Sequence, residues 1–307
     1  MSLDARGTTA EICQPMHIAR RSQTVGGDSM NLIKSFKGVL LTLACALALP
    51  VAQAQTTSSK IDEIRQRGTL RMAGILNEDP YFAKDPRTGE WRGFAVEMAR
   101  DIADNLGVKL EVVESSWANS ILDVQSGKVD LALALTALPK RALAIHFTSP
   151  TYYNSFVIIS PKAAMKGKSW ADLNNPATTI AVDMGSAQDQ ITKQVLPKAK
   201  ILRFKTRDEA VIALTSGKAD AVINTVLNGM VMTKKNAALG KVYVPQPLLS
   251  SPSVIGLNYK TDDTWKQFVS AWADYNRRVG NNQGWIVKGL EPFGVSLDDL
   301  PEGFSFN

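Results

Sequence analysis

Cysteine and histidine are scarce in this chain, and long hydrophobic runs are missing. Two Cys and two His occur among 307 residues. Two cysteines cannot build a disulfide scaffold, and so few Cys and His exclude a zinc module or a His-rich metal centre. No apolar run approaches the roughly 18 residues that a membrane-spanning helix needs. Charge of one sign is not concentrated either. Lys and Arg total 35 against 29 Asp and Glu, a net +6, with no basic block to argue for nucleic acid. What is present is globular in character: 45% hydrophobic and 21% charged residues exclude a disordered chain. The length admits one or two domains with a sizeable core.

The N-terminal part reads as a leader. Met30 opens a segment with Lys34 and Lys37, followed by an apolar run of 11 residues from Val39 to Leu49 and then Ala52-Gln53-Ala54. Positive, apolar, then small-x-small is the order a secretory signal requires. Residues 30–54 are therefore predicted to be a signal peptide cleaved near Ala54, and residues 1–29 an upstream extension or a mis-called start. Cys45 in a lipoprotein setting is a poorer fit, because Thr42 and Leu43 suit the preceding positions badly. Cleavage would remove Cys13 and Cys45 together. The remainder, 55–307, carries one histidine, His146, with 30 basic and 26 acidic residues once the 5 and 3 upstream are removed. Thiol catalysis is then excluded, and a serine triad would have to use His146.

The rest alternates short strands and helices. Leu70–Ala73 is strand-like. Phe94–Leu106 has helical apolar spacing and stops at Gly107, a C-cap signal. Val108–Val113 alternates like a strand, Ala118–Val124 is helical, and Val129–Leu135 reads as a strand buried on both faces. The rhythm returns with strands at 178–182, 201–204 and 219–223 and helices at 187–195 and 208–214. Two C-terminal helices follow, at 264–279 and 283–290. This βαβ pattern predicts an α/β fold with a largely parallel sheet. One short internal echo aligns 124–130 (VQSGKVD) with 214–220 (LTSGKAD), a helix end, a Gly cap and an Asp opening a strand in each. Two extended segments, 152–161 and 245–259, read as crossings between two lobes. Lobe 1 would be 60–155 plus 254–307, and lobe 2 would be 156–253.

The stretches Gly93–Ala99, Gly127–Asp130, Thr136–Arg141, Phe147–Tyr153, Gly185-Ser186 and Gly217–Ala221 occur in order along the chain. With them the sequence resembles the periplasmic solute-binding proteins of polar amino-acid ABC transporters (extracellular solute-binding family 3), from about Ile61 to Phe293. The resemblance implies a type II periplasmic-binding-protein fold, two lobes joined by two crossing strands. It also implies a small carboxylate-bearing ligand, an amino acid or organic acid, in the cleft. The partner would be an inner-membrane ABC permease, with no cofactor, no metal and no nucleic acid. The protein would be a periplasmic monomer and not an enzyme.

In that family an Arg at the position of Arg141 grips the ligand carboxylate, and a guanidinium's parallel donors suit that task. Thr136 and Ala134 fall at the end of a buried strand facing the cleft, Ala134 offering only its backbone. Gly185, Ser186 and Ala187 precede or open a helix, where free N–H groups form an anion site; an ordinary Ser N-cap is the compatible plain reading. Two departures stand out. The Asp that usually holds the α-ammonium is replaced by Thr225, next to Asn224. An aromatic three residues before Phe82 is replaced by Asp79. A desolvated cation needs a carboxylate or an aromatic face. Asp79 or Glu78, with Trp117, could supply both; alternatively the ligand has no ammonium, or these acids line a solvated loop. Two rival functions are a cyclohexadienyl-dehydratase-like enzyme, which needs a cleft acid, and a freely soluble ligand-sensing domain.

Overall fold

The computed structural model describes residues 58–306. The expectations for 1–29, the leader at 30–54, Cys13 and Cys45 lie outside these residues. The described chain opens with α1 (Lys60–Arg67), begun by a capping box between Ser59 and Asp62 and ended at Gly68. After it come β1 (Thr69–Ile75), a small hairpin of β2 (Ala83–Lys84) and β3 (Trp91–Arg92), and α2 (Phe94–Leu106). The apolar stripe of α2 is buried along its whole length, Phe94, Met98, Ile102 and Leu106 included, and Gly107 caps it. The chain continues through β4 (Lys109–Ser115), α3 (Trp117–Ser126), β5 (Leu131–Thr136), α4 (Pro139–Ala142), β6 (Ile145–Phe147) and β7 (Tyr152–Ser160). The second passage holds α5 (Trp170–Leu173), β8 (Thr179–Asp183), α6 (Ala187–Val195), β9 (Lys200–Phe204), α7 (Arg207–Thr215), β10 (Ala221–Thr225), α8 (Val226–Lys235) and β11 (Lys241–Tyr243). The return is made by β12 (Ser250–Asn258), α9 (Asp263–Arg278) and α10 (Asn281–Leu290).

The strands run in the order β4-β1-β5-β12-β7-β10-β8-β9, with β6 beside β12 and β11 beside β7. β1 is parallel to β4 and β5, and β8 is parallel to β9 and β10. Between these two parallel sets stand β7 and β12, antiparallel to each other and to their outer neighbours. Each spends one end in each half. Residues 152–155 of β7 face 250–253 of β12, while 156–159 face 222–225 of β10. The extended segments read from the sequence are these two strands, and the α/β two-lobed architecture expected from the sequence is the one observed.

Leu70, Met72, Phe94, Ile102, Leu131, Trp265 and Ile286 meet in one apolar interior that runs on into the second half through Val157, Val226, Leu227 and Val231, while Phe156, Ile158, Trp170, Ile180, Val182 and Ile223 form a separate cluster in the second half. A side chain of this size contributes about 1.5–3 kcal/mol when fully buried. The internal echo has a structural basis. Asp130 accepts the backbone N–H of Arg71 at 2.8 Å and is ion-paired to Lys60, Arg67 and Arg71. Asp220 accepts the backbone N–H of Thr179 at 2.7 Å and pairs with Lys162. In both halves the Asp ties the start of one strand to the next.

Candidate functional site

The two halves face each other across a cleft. Its inner end is a cavity of about 30 Å³ lined by Glu78, Tyr81, Trp117, Ala134, Thr136, Arg141, Asn154, Ala187, Gln188, Thr225 and Ser253. Strands build most of it: β5 delivers Ala134 and Thr136, β7 Asn154, β10 Thr225 and β12 Ser253, while α6 opens with Ala187 and Gln188. Ala134 has φ +58°, a left-handed conformation that costs a non-glycine residue about 1 kcal/mol or more. It coincides with an interruption of the ladder, where Leu135 pairs with Val254 but Ala132 already pairs with Gly256. The bulge turns this stretch of β5 out of regular pairing at the cavity wall.

Arg141 projects from α4 and is only 9% exposed. Its Nη1 donates to the Thr136 carbonyl at 3.3 Å and its Nη2 to the Gly185 carbonyl, across the cleft, at 2.9 Å. No carboxylate meets it among the described residues, and burial alone pulls its pKa down to about 10. A guanidinium that has lost water without gaining an anion is held in an unfavourable state.

Opposite lies a second charged group. Arg207, 6% exposed, pairs bidentately with Asp183 at 3.0 and 3.1 Å and reaches Glu78 of the other half at 3.3 Å. The indole N–H of Trp117 donates to the same Glu78 Oε1 at 2.9 Å. Burial raises the Glu78 carboxyl to about 7, Arg207 opposing the shift and Asp183 adding to it. The outer mouth of the cleft, a cavity of about 330 Å³, shares Glu78 and Trp117 with the inner one and adds Asp183, Lys205, Arg207 and Asp208. Further contacts tie the halves together. Tyr81 Oη and Thr225 Oγ1 lie 2.8 Å apart, and Asn228 Nδ2 donates to the Asp79 carbonyl at 2.6 Å. Gly185 (φ +77°) packs so tightly on α3 that a Cβ there would lie 2.7 Å from the Ala118 Cβ.

Against this geometry the known proteins can be set. Residues 70–184 match the profile of bacterial extracellular solute-binding proteins, family 3. The ABC transporter glutamine-binding protein GlnH of Bacillus subtilis is 31% identical over 229 residues, 71% of this chain and 82% of that protein. The chain belongs to the bacterial extracellular solute-binding proteins, family 3. It is also similar to the cyclohexadienyl dehydratase of Pseudomonas aeruginosa, 26% identical over 251 residues, 80% of this chain and 92% of that protein. Among solved structures, the ancestral amino acid-binding protein AncCDT-1, a precursor of cyclohexadienyl dehydratase, superposes with a TM-score of 0.66 at 31% identity. The match covers 76% of this chain and 99% of that one.

In this family 3 chain the cavity brings together seven of the residues singled out by sequence: Glu78, Trp117, Ala134, Thr136, Arg141, Ala187 and Thr225. Gly185 reaches the site through its carbonyl only. Three are placed elsewhere. The Asp79 carboxylate turns to Lys235, 2.8 Å away, and lines a separate surface cavity with Trp285 and Phe293; its backbone, tied to Asn228, turns the side chain away from the cleft. The Asn224 side chain is committed to Gln188 and Asn228. Ser186 caps α6, its hydroxyl accepting from the Asp189 N–H at 3.1 Å and donating to the Asp183 carbonyl at 2.8 Å. His146 sits on β6, beside β12.

Tyr81, Asn154, Gln188, Ser253 and the ion-pair centre Arg207 were missed. Arg207 left only a faint signal: a cation in the first turn of a helix opposes the helix dipole.

Proposed function

We propose that this family 3 protein is the substrate-binding component of an ABC importer, capturing an amino acid or related small carboxylate in the cleft. The observation that carries the reading is Arg141, a buried guanidinium with no counter-ion among the described residues, at the wall of a cavity between two lobes. A carboxylate there would make two parallel charge-assisted bonds, each contributing roughly 1.5–3 kcal/mol. The lobes, 60–155 with 254–307 and 156–253, would part about the β7–β12 pair to admit the ligand. The present cavity holds only a water or two. Closure is then stabilised as far as the ligand prefers the closed form, and a permease would read that shape. The glutamine-binding relative supports this reading, and the leader at 30–54 would deliver the chain to the periplasm as a monomer. No helix among the described residues is long and apolar enough to cross a membrane.

The test is a thermal-shift panel of amino acids and organic acids on refolded, ligand-stripped protein. A ligand at 100 times its dissociation constant adds about 2.7 kcal/mol. A panel without any shift removes the reading.

One observation favours a second function. Glu78, raised to about 7 in the cleft, has the proton affinity of a general acid, and a dehydratase is among the relatives. An ultraviolet assay of prephenate and arogenate turnover separates the two: turnover abolished in Glu78→Gln would make this chain an enzyme.

A further inference from the structure

Beyond α10, residues 295–306 leave the first half, touch the second and close on β7, one of the two strands about which the halves would turn. Val295 roots the segment. It is 3% exposed, and its N–H donates to the Leu290 carbonyl at 3.4 Å. A 3₁₀ turn at Leu297–Asp299 follows, with Asp299 accepting the Ser296 N–H at 2.8 Å. The Asp299 carboxylate lies 3.9 Å from Lys234 of α8. A Cβ on Gly303 would lie 4.0 Å from Leu248. Lys234 and Leu248 both belong to the second half. The far end of the segment is anchored. Phe304 and Phe306 meet edge to face at 4.9 Å. Phe306 is 8% exposed and joins the apolar interior that runs through both halves. Its carbonyl accepts the Tyr153 N–H at 2.9 Å.

That last bond sits at the hinge. Successive N–H groups of an extended strand point to opposite edges. The Phe156 N–H goes to Leu249, on the β12 side, so the Tyr153 N–H points to the other edge. β10 covers that other edge along residues 156–159 of β7. The Phe306 carbonyl takes the edge up again at Tyr153, where one half gives way to the other. We infer that 295–306 is a strap that restrains opening of the cleft, with Phe306 as its positioning residue. Swinging the halves apart about β7 and β12 moves Lys234 and Leu248 against a segment fixed at Val295 and Phe306. Opening must therefore break the contacts of the strap with the second half or loosen its anchor. The strap rests on the solute-capture reading for its effect on affinity, though not for its effect on shape. A protein restrained near closure has more of its chains ready to close on a ligand, and its apparent affinity rises with that fraction.

The experiment measures the separation of the halves with no ligand present. Cys13→Ser and Cys45→Ser leave the chain without cysteine. Leu122→Cys on α3 and Ile212→Cys on α7, at positions 60% and 63% exposed, then carry one spin label on each half. Pulsed dipolar spectroscopy gives the distance distribution for this parent, for Phe306→Ala, for Phe306→Leu and for a chain stopped after Leu300. The strap predicts a longer mean distance in Phe306→Ala and in the shortened chain, and the parent distribution in Phe306→Leu, which keeps an apolar anchor. A merely structural role would lower Tm and leave the distances alone. Calorimetry with each of the twenty protein L-amino acids is the second arm. Any amino acid that binds the parent should bind Phe306→Ala at least about threefold more weakly, because fewer chains are poised to close. Distances that match the parent in Phe306→Ala overturn the inference, and that variant alone decides should the shortened chain fail to fold. Longer distances with unchanged affinity overturn the strap's part in capture. Longer distances with no amino acid bound by any chain leave the strap standing and remove amino-acid capture.

Discussion

Replacing Arg207 by Met keeps a long unbranched side chain and deletes the one cation that Asp183 and Glu78 share. The side chains on both sides are almost dry, with 5% exposure for Arg207 against 4% for Glu78 and 6% for Asp183, so water cannot replace the lost partner. Removing one member of a buried ion pair destabilises by about 3–5 kcal/mol, because the remaining charge stays buried and uncompensated. For a domain of this size each kcal/mol moves the midpoint by roughly 2–4 °C, so Arg207→Met should lower Tm by about 6–20 °C at pH 7.5. Asn228 would lose a donor as well, the 3.0 Å bond from Arg207 Nη1, although Asn224 still donates to its Oδ1. Differential scanning calorimetry measures the shift. A control separates lost charge balance from lost packing: the triple change Arg207→Met, Asp183→Asn, Glu78→Gln removes all three charges together. Replacing a buried ion cluster by neutral groups is often close to neutral in stability, so the triple variant should recover much of the loss. A single variant within about 2 °C of wild type, or a triple variant no more stable than the single, would refute the account of this network.

Three further outcomes are expected. Glu78, raised to about 7 from 4.5, binds a proton more readily folded than unfolded, so Tm should rise as pH falls from about 8 to about 5. Asp130, held low by bonds from Arg71 and Lys60 despite its burial, does the reverse, and its contribution is lost below about pH 4; Glu78→Gln should flatten only the upper limb of a Tm–pH profile. Arg141→Ala should weaken ligand binding by about 2–5 kcal/mol, and calorimetry showing unchanged affinity would take Arg141 out of the site. Gly185→Ala places a methyl 2.7 Å from the Ala118 Cβ at φ +77°. It should hold the halves apart, with weaker binding and a larger radius of gyration by small-angle X-ray scattering in saturating ligand; a radius equal to wild type would count against closure through this contact.

The parts of the fold legible in the sequence are those whose burial repeats at a fixed period. The α2 stripe and the dry strands β5 and β10 are of this kind, because a face or a whole segment leaves water. The short pieces escaped. The β2–β3 hairpin has two residues in each strand, and α8 carries Asn228 and Gly229 in its first turns, which blunts any apolar stripe. At the site, Arg141 and Thr136 were readable because they stand in a stretch shared with a known family, whereas Trp117 lies outside those stretches and was singled out only as an aromatic face for a cation. Asn154, Gln188 and Ser253 lie on crossing strands and on α6, where only three-dimensional closure makes a neutral side chain a cavity wall. Asp79 stands apart from the cavity for a related reason. Sequence placed it beside Glu78, but the turn that directs Glu78 towards Trp117 sends the next side chain out to Lys235.

The contacts that shut the cleft also explain why shutting it empty is a poor resting state. Arg207–Glu78, Tyr81–Thr225, Asn228–Asp79 and Arg141–Gly185 all cross between the halves and favour closure. Against them stand, among the described residues, an Arg141 guanidinium without an anion and a buried Asn154 Oδ1 without a hydrogen-bond partner. Opening lets water reach these groups, at the expense of the crossing bonds. A bound solute can shift this balance only by its differential affinity for the two arrangements. A carboxylate that neutralises Arg141 removes a penalty present only when the cleft is shut. In physical terms, the selective element is the set of polar groups left unmet inside the closed cleft, while the bonds already formed across it supply much of the closing force.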